Sequence, residues 1–262
     1  MFGLFKKKPN ARDVLNRIGV LHSVVTYAQS APPFEFIEES YRQWSDEEKN
    51  EYAKHLQQTS DEYCDNLKEA GLWKAASVTE KAFLQSVSLK HERQQLINAS
   101  WRVEAAVPLF WALGFLEKMP LFDEPADEST FELLEKDNFT DYELRSAAEI
   151  EVQRSLAELW HWRSRTRELI EAGETIPVSL SEKTGVKTYD EIVRTTAKLA
   201  HEQGDLPQVI DEDFAVKGKA YRDMNAEEWS EVRSITAERH FALNWRAGYA
   251  PKDDWDQTPT GT

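Results

Sequence analysis

The segment at residues 101–115, WRVEAAVPLFWALGF, constrains the fold most, because it is apolar on nearly every side. A helix without a polar face has to be covered by other elements all round. We therefore expect it to be the most deeply buried helix, at the end of a helical run that begins near Thr79. Pro108 predicts a kink, since proline removes one backbone hydrogen bond of a helix, and Gly114 predicts the helix end.

Two charged residues fall on apolar helix faces. On a wheel of about 100° per residue, Glu104 lies in the apolar strip of the buried segment, and Arg239 lies in the apolar face of the last helix. A buried guanidinium cannot lose its charge, so it needs a carboxylate and further acceptors. Glu104 is the first predicted partner, and Asp254 and Asp256 are the second. We favour a structural ion pair over a catalytic or ligand-binding role.

Helical signals continue along almost the whole chain. Apolar residues recur at spacings of three and four from Val14 to Val25. The predicted N-caps, most of them followed by an acidic residue three positions later, are Ser45, Thr79, Thr140, Thr188 and Asn225. Residues 209–221 are compatible with a short β-hairpin or an extended wrap, and residues 175–187 with a connector that contains a short strand. The prediction is an all-α protein, one domain over residues 1–262 with about seven to nine helices.

The clearest predicted helix follows Thr140 and ends at Gly173. Its apolar stripe consists of Leu144, Ala148, Val152, Ser155, Leu159, Trp162, Thr166 and Leu169. We expect this stripe to face the core, because its spacings alternate between three and four residues. His161 lies on the opposite face, and we expect it to form a hydrogen bond with a neighbouring helix.

Charge and targeting signals exclude several classes of protein. The chain has 32 basic and 47 acidic residues, a net charge of −15, which repels phosphate backbones. No apolar run approaches the ~18 residues of a membrane-spanning helix, and the start, MFGLFKKKPN, lacks the apolar region of a secretory signal. Cys64 is the single cysteine, so no disulfide forms within the chain. We expect a cytoplasmic protein with no nucleic-acid partner and no transmembrane segment.

Familiar signatures of cofactor and metal chemistry are missing. The sequence contains no GxGxxG or GxxxxGK[ST] loop to hold phosphates. The six histidines are spread along the chain, without the close spacing typical of metal ligands. The sequence therefore predicts no cofactor and no metal, and it favours a protein that is not an enzyme.

More than half of the net charge lies in one short stretch. Residues 121–151 hold eleven acidic and two basic side chains, a net charge of −9. The simpler interpretation is that residues 121–151 form a solvated helix-loop-helix, and the more specific one is that they form a docking surface for a basic partner. The candidate contact residues are Asp123, Glu124, Asp127 and Glu128.

The C-terminal run ERHFALNWRAGYAPKDDWDQTPT, residues 238–260, resembles a bacterial family known only as a domain of unknown function. The blocks TEKAFLQ, WRVEAAVPLFWALG and ELRSAAEIEVQRSLAELWHWRSR are similar to upstream segments of that family. The resemblance covers about residues 75–262 and leaves residues 10–74 as an N-terminal helical extension. It implies no activity, and the residues on its motif positions are Glu104, Trp111, Glu238, Arg239, Ala242, Asn244, Trp245, Trp255 and Asp256.

Two functions from different classes remain open. The leading hypothesis is binding of another protein through the acidic stretch, in an immunity-type or adaptor role, because an acidic surface speeds association with a basic partner. The alternative is a hydrolase in which a buried acid acts near Arg239 and either His161 or His240. An open pocket lined by Glu104 and these residues favours the enzyme, whereas a fully paired cluster does not.

Overall fold

The computed structural model describes residues 8–134 and 142–261, which are mostly helical. The helices are α1 (Ala11–Gln29), α2 (Phe34–Glu39), α3 (Asp46–Glu69), α4 (Val78–Leu84), α5 (Arg93–Ser100), α6 (Arg102–Ala112), α7 (Ala147–Glu171), α8 (Val178–Thr184), α9 (Tyr189–Gln203) and α10 (Ala226–Ala247). Three short strands, β1 (Val209–Ile210), β2 (Asp213–Val216) and β3 (Lys219–Ala220), pair antiparallel in that order. The all-α prediction with a short hairpin near 209–221 is confirmed.

Helix α6 lies at the centre of the packing. All of its residues except Arg102 are buried, as expected for a helix that is apolar on every side. Helix α10 packs against α6 and α7, and α1 packs against α5 and α6. The helical run predicted from Thr79 to Gly114 is divided into α4, α5 and α6, and the break before α6 lies at Trp101. Pro108 lies inside α6.

The predicted caps at Ser45 and Asn225 are present, each as a complete capping box. Thr188 also caps its helix, since its hydroxyl accepts from the backbone N–H of Glu191 at 3.2 Å. The predicted cap at Thr79 is wrong, because Ser77 caps α4 by a box with Glu80. Ser77 takes the cap position two residues earlier, which leaves the Thr79 hydroxyl available to another partner.

Helix α7 differs from its prediction at its start and in its buried face. It begins after Ser146, and the predicted cap Thr140 lies outside the described residues. The face toward α10 carries His161 and the small residues Ala157 and Ser164, which let the two helices approach closely. The predicted stripe is only partly covered, and Val152 within it is 57% exposed. Apolar spacing alone therefore predicted only part of the buried face: Leu144, Leu159 and Trp162 pack against the core, whereas Val152 does not.

The connector at residues 175–187 is helical where the sequence pattern predicted a strand. Helix α8 follows Pro177 and ends at Gly185, whose φ of 76° gives a left-handed cap. A proline before the first turn and a left-handed glycine after the last are ordinary helix start and stop signals. No helix among residues 8–134 and 142–261 is long and apolar enough to cross a membrane.

Candidate binding cleft

The Arg239 side chain is completely buried between α6 and the loop that follows it. Its Nε donates to Glu104 Oε2 at 2.9 Å, and its Nη2 lies 2.8 Å from the same oxygen. The remaining donors reach three backbone carbonyls, those of Pro120 (2.9 Å), Leu121 (2.8 Å) and Glu124 (2.8 Å). Every guanidinium N–H therefore has an acceptor. The second predicted partners, Asp254 and Asp256, are not bound to Arg239.

The Glu104 carboxylate is also completely buried, and both of its oxygens accept hydrogen bonds. Its Oε1 accepts from the backbone N–H of Ala126 at 2.6 Å, while Oε2 receives Arg239. Burial raises the pKa of Glu104, and the nearby Arg239 charge opposes this increase. Burial likewise lowers the pKa of Arg239. The pair fixes the loop at residues 120–126 by its backbone, which leaves the loop side chains free for other contacts.

This loop forms one wall of a cleft of about 950 Å³, here called the α7 cleft. The other walls are residues 148–160 of α7, residues 205–208 and the β2–β3 turn. The apolar lining includes Phe122 and Trp160, whose rings stack at 5.5 Å. Leu121 and Val152 also line the cleft and are 51% and 57% exposed. The cleft therefore offers apolar surface to a ligand.

Two of the three basic residues that line the α7 cleft are occupied by partners within the chain, and the third, Lys118, is exposed. The Arg145 guanidinium lies 4.9 Å from the Trp111 ring centre, and its Nε donates to the Trp111 carbonyl at 2.9 Å. The Lys217 side chain pairs with Glu231, and its backbone N–H donates to Asp123 Oδ2 at 2.8 Å. The hydrogen bond with Glu231 raises the pKa of Lys217. These two cations therefore add little free positive charge to the rim.

The acidic segment, defined here as residues 121–134, continues from the wall of the cleft. It contains no lysine or arginine, and its five acids are Asp123, Glu124, Asp127, Glu128 and Glu132. Glu124, Asp127 and Glu128 are exposed, and Asp123 is half-buried. Glu124 Oε2 accepts from the backbone N–H of Leu121 at 3.2 Å, and Asp127 Oδ1 accepts from that of Ser129 at 3.0 Å. These local bonds give the acids defined positions.

The candidate histidines His161 and His240 contact each other between α7 and α10. Their Nδ1 atoms lie 2.9 Å apart, and His240 Nε2 lies 2.8 Å from Asn244 Nδ2. The Asn244 Nδ2 group, which also donates to the Pro259 carbonyl, can only donate, so we assign the Nδ1 proton to His240 and an accepting Nδ1 to His161. Burial lowers the pKa of His161 to about 4 and that of His240 to about 3. The pair is therefore neutral at pH 7.

The end of α10, with the motif residue Trp245, and the C-terminal tail, with Trp255 and Asp256, dock on the N-terminal helices. The Arg17 guanidinium of α1 lies 4.5 Å from the Trp255 ring centre and 5.7 Å from that of Trp245. Asp256 accepts from Thr79 at the start of α4, through Oδ2 from the backbone N–H (3.1 Å) and through Oδ1 from the hydroxyl (2.5 Å). The Asp256 carboxylate thus adds to the cap that Ser77 provides.

We expect Asp256→Ala to lower the free energy of unfolding by about 1 kcal/mol, the usual cost of losing a helix N-cap. Burial tends to raise the pKa of Asp256, but the Thr79 hydrogen bonds outweigh it and lower the pKa. The measurement is urea unfolding at pH 7. Gln257→Ala, a change at the exposed neighbour, is the control and should unfold like the parent. Equal midpoints for all three proteins would mean that the tail contact contributes nothing.

Glu238, the remaining motif acid, lies apart from the buried pair. Its Oε2 accepts from Arg102 Nη1 at 2.9 Å. Burial raises the pKa of Glu238, and Arg102 partly offsets this increase. The Arg102 and Glu238 side chains are 31% and 16% exposed, so this pair is only half-buried. It lies at the edge of the helix packing and outside the residues that line the α7 cleft.

A further buried ion pair, between Arg163 and Asp213, was not predicted from the sequence. Arg163 Nε and Nη2 donate to the two Asp213 oxygens at 2.7 and 2.6 Å, and the residues are 2% and 1% exposed. The Asp213 carboxylate also accepts from the backbone N–H of Arg222 at 3.1 Å. Strand β2 is only four residues long, so no periodic pattern marks its acid as inward-facing. The pair joins α7 to the small sheet.

The described residues contain no group of three or more histidine, cysteine or acidic side chains arranged to hold a metal ion. In the comparison with protein families, residues 6–187 match the family described as Domain of unknown function (DUF4272). This match includes residues 10–74 and ends before the C-terminal block at residues 238–260. Curated proteins and solved structures give no match. Because the matched region is more than half of the chain, the protein belongs to the DUF4272 family.

Proposed function

We propose that the protein acts by binding another protein, and that the α7 cleft and the acidic segment together form the contact surface. The proposal rests on one observation: exposed apolar side chains of the cleft lie beside a segment that contains acidic but no basic residues. Leu121 and Val152 are both more than half exposed in the cleft, and the acidic segment begins at its wall. Exposed apolar surface rimmed by polar residues is typical of interaction sites.

The charges define the chemistry of the partner. The acidic segment contains no basic residue, and of the three basic residues that line the cleft, Arg145 and Lys217 are held by groups of this chain and Lys118 is exposed. A partner segment with basic residues beside one or two apolar side chains complements both parts of the surface. Charge complementarity of this kind speeds association and weakens as salt increases. An immunity-type or adaptor role fits such a surface.

The hydrolase alternative receives no support from the geometry. A catalytic acid and its positioning groups must face a space that a substrate can enter. Glu104 and Arg239 are 0% exposed, and all N–H groups of Arg239 are used by Glu104 and the loop carbonyls. His161 and His240 point at each other in the α7–α10 interface. Glu104 and Arg239 hold the loop wall of the cleft, and the two histidines lie inside the helix packing, so we do not propose catalysis by them.

The test replaces the four candidate acids by their amides, Asp123→Asn, Glu124→Gln, Asp127→Asn and Glu128→Gln in one protein. The amide oxygens can still accept the local hydrogen bonds, so the loop should keep its conformation while it loses four charges. A partner captured from lysate at low salt and then purified should bind this variant at least about tenfold more weakly, about 1.4 kcal/mol. The measurement is titration calorimetry at two salt concentrations.

The matched control neutralises four exposed acids of α3, Asp61, Glu62, Asp65 and Glu69, which lie outside the cleft lining. This control removes the same net charge, so it should keep the affinity of the parent. A further variant, Val152→Glu, tests the apolar part and should abolish binding even at high salt. If no partner is captured, or if both neutralised proteins bind it equally well, the surface is not the one proposed.

A further inference from the structure

Four aromatic rings meet where α2 and the turn after it fold back onto α3. Phe36, Tyr41 and Trp44 come from the N-terminal side, and Tyr52 comes from α3. The Trp44 and Tyr52 ring centres are 5.4 Å apart at an angle of 78°, and those of Phe36 and Trp44 are 5.5 Å apart at 80°. Tyr41 lies 5.6 Å from Trp44 and 6.0 Å from Tyr52. The Phe36–Trp44 and Trp44–Tyr52 pairs stand edge to face and the two Tyr41 pairs are tilted, so the rings do not cover one another face to face.

An open pocket of about 310 Å³ lies against this cluster. Its lining consists of the Trp44 and Tyr52 rings, the His55 side chain and the acids Glu48 and Glu51. Aromatic faces and carboxylates both attract positive charge, the first through the ring quadrupole and the second directly. A pocket built from these groups alone, without a lysine or arginine in its lining, selects for a cation.

Two charged side chains lie next to the aromatic cluster, the Glu48 carboxylate and the Lys49 ammonium group. Glu48 Oε2 accepts from the Ser45 backbone N–H at 2.8 Å and from the Ser45 hydroxyl at 2.7 Å. These bonds lower the pKa of Glu48, so its negative charge is held at the pocket edge at neutral pH. On another side of the cluster, Lys49 Nζ lies 5.9 Å from the Tyr41 ring centre. The rings therefore already attract one ammonium group of this chain.

We propose that this pocket binds an organic cation of the quaternary ammonium class, held on the Trp44 and Tyr52 ring faces beside Glu48 and Glu51. A primary ammonium is strongly hydrated and needs hydrogen-bond acceptors in place of its water. A quaternary ammonium has no N–H to satisfy and spreads its charge over methyl groups, which suits ring faces. The same group occurs in free choline-type molecules and in trimethylated lysine side chains. This site is separate from the α7 cleft and does not depend on the function proposed there.

The experiment compares choline with its neutral isostere 3,3-dimethyl-1-butanol, by titration calorimetry on the full chain. The two molecules have nearly the same shape, so a difference in affinity reports the positive charge. We expect choline to bind at least about tenfold more tightly, in the range of a partly desolvated cation–π contact. A third titration uses a short peptide with one trimethyl-lysine, and its unmethylated form is the reference.

Substitutions of two pocket residues test whether the cation binds there. Trp44→Leu removes a ring face, and Glu51→Gln removes an exposed charge without a change in shape, so each should weaken the preference for the cation several-fold. Trp73→Leu is the control, because Lys68 and Lys81 already lie over that ring, and it should bind as the parent does. Glu51→Gln keeps the test valid if Trp44→Leu fails to fold.

The outcomes separate the two sources of the ligand. Binding of choline with the expected preference supports a free small molecule, and binding of the trimethyl-lysine peptide alone supports a methylated protein. Equal binding of charged and neutral molecules, no binding of any of them, or binding that Glu51→Gln leaves unchanged would each overturn the proposal.

Discussion

Arg239→Met is expected to lower the free energy of unfolding by about 3–5 kcal/mol, because it leaves a buried carboxylate without its partner. Methionine fills most of the same volume, so the decrease in the free energy of unfolding measures the loss of the charge and of its hydrogen bonds. The Glu104 carboxylate and the carbonyls of Pro120, Leu121 and Glu124 all lose their donors at once. An unpaired buried group of this kind costs far more than the net value of the bond itself. The measurement is urea unfolding at pH 7.

A double-mutant cycle with Glu104→Gln identifies the pair. The combined variant should be much less destabilised than the sum of the two single changes, because the second change removes a charge that the first had left unpaired. Arg102→Met is the matched control: its pair with Glu238 is half-exposed, so its loss should be about 1 kcal/mol or less. If Arg239→Met unfolds at the urea concentration of the parent, the buried pair has no structural role.

The Arg239→Met variant also connects stability to the proposed function. Arg239 holds the backbone of residues 120–126, and this loop forms a wall of the α7 cleft. Loss of these bonds should loosen the loop and weaken partner binding, although Arg239 itself is 0% exposed and cannot contact the partner. The buried pair is thus a positioning element for the surface.

The sequence predicted the helical fold and the burial of Arg239 and Glu104 because both follow from local rules. Capping boxes at Ser45 and Asn225 satisfy backbone donors within one turn, and an apolar face must be buried whatever it packs against. A permanently charged side chain on such a face requires a partner. These arguments need no knowledge of the path of the chain between helices.

The backbone carbonyls that accept from Arg239, and His240 as the partner of His161, depend on that path and were not predicted. Loop carbonyls carry no periodic signal, so the role of residues 120–126 became visible only in three dimensions. Helix α7 buries Ala157 and Ser164 where the apolar stripe had predicted Val152, since close approach to α10 favours small side chains over large apolar ones. The same close approach brings the two imidazoles together.

Acid destabilisation is the second large effect expected, and the neutral pair of His161 and His240 is its source. Burial holds their pKa values at about 4 and about 3, while in the unfolded chain each is about 6.5. Between pH 6.5 and 4 the unfolded chain therefore takes up protons that the folded chain does not, so stability falls as pH falls. From pH 7 to 5 the loss is about 2 kcal/mol for each imidazole, or about 4 kcal/mol for the pair.

The carboxyls of Glu104 and Glu238 act in the opposite direction, so the test must isolate the imidazoles. Burial raises the pKa values of Glu104 and Glu238, and the folded chain therefore takes up their protons before the unfolded chain does. The measurement is urea unfolding at pH 7 and pH 5 for the parent and for the double variant His161→Gln, His240→Gln. The parent should lose about 4 kcal/mol more than the variant, and a protein with exposed His55 changed to Gln should behave as the parent does. Equal pH dependence in all three would mean that the two imidazoles take up protons over the same pH range in the folded protein as in the unfolded chain, which their burial and their 2.9 Å contact make unfavourable.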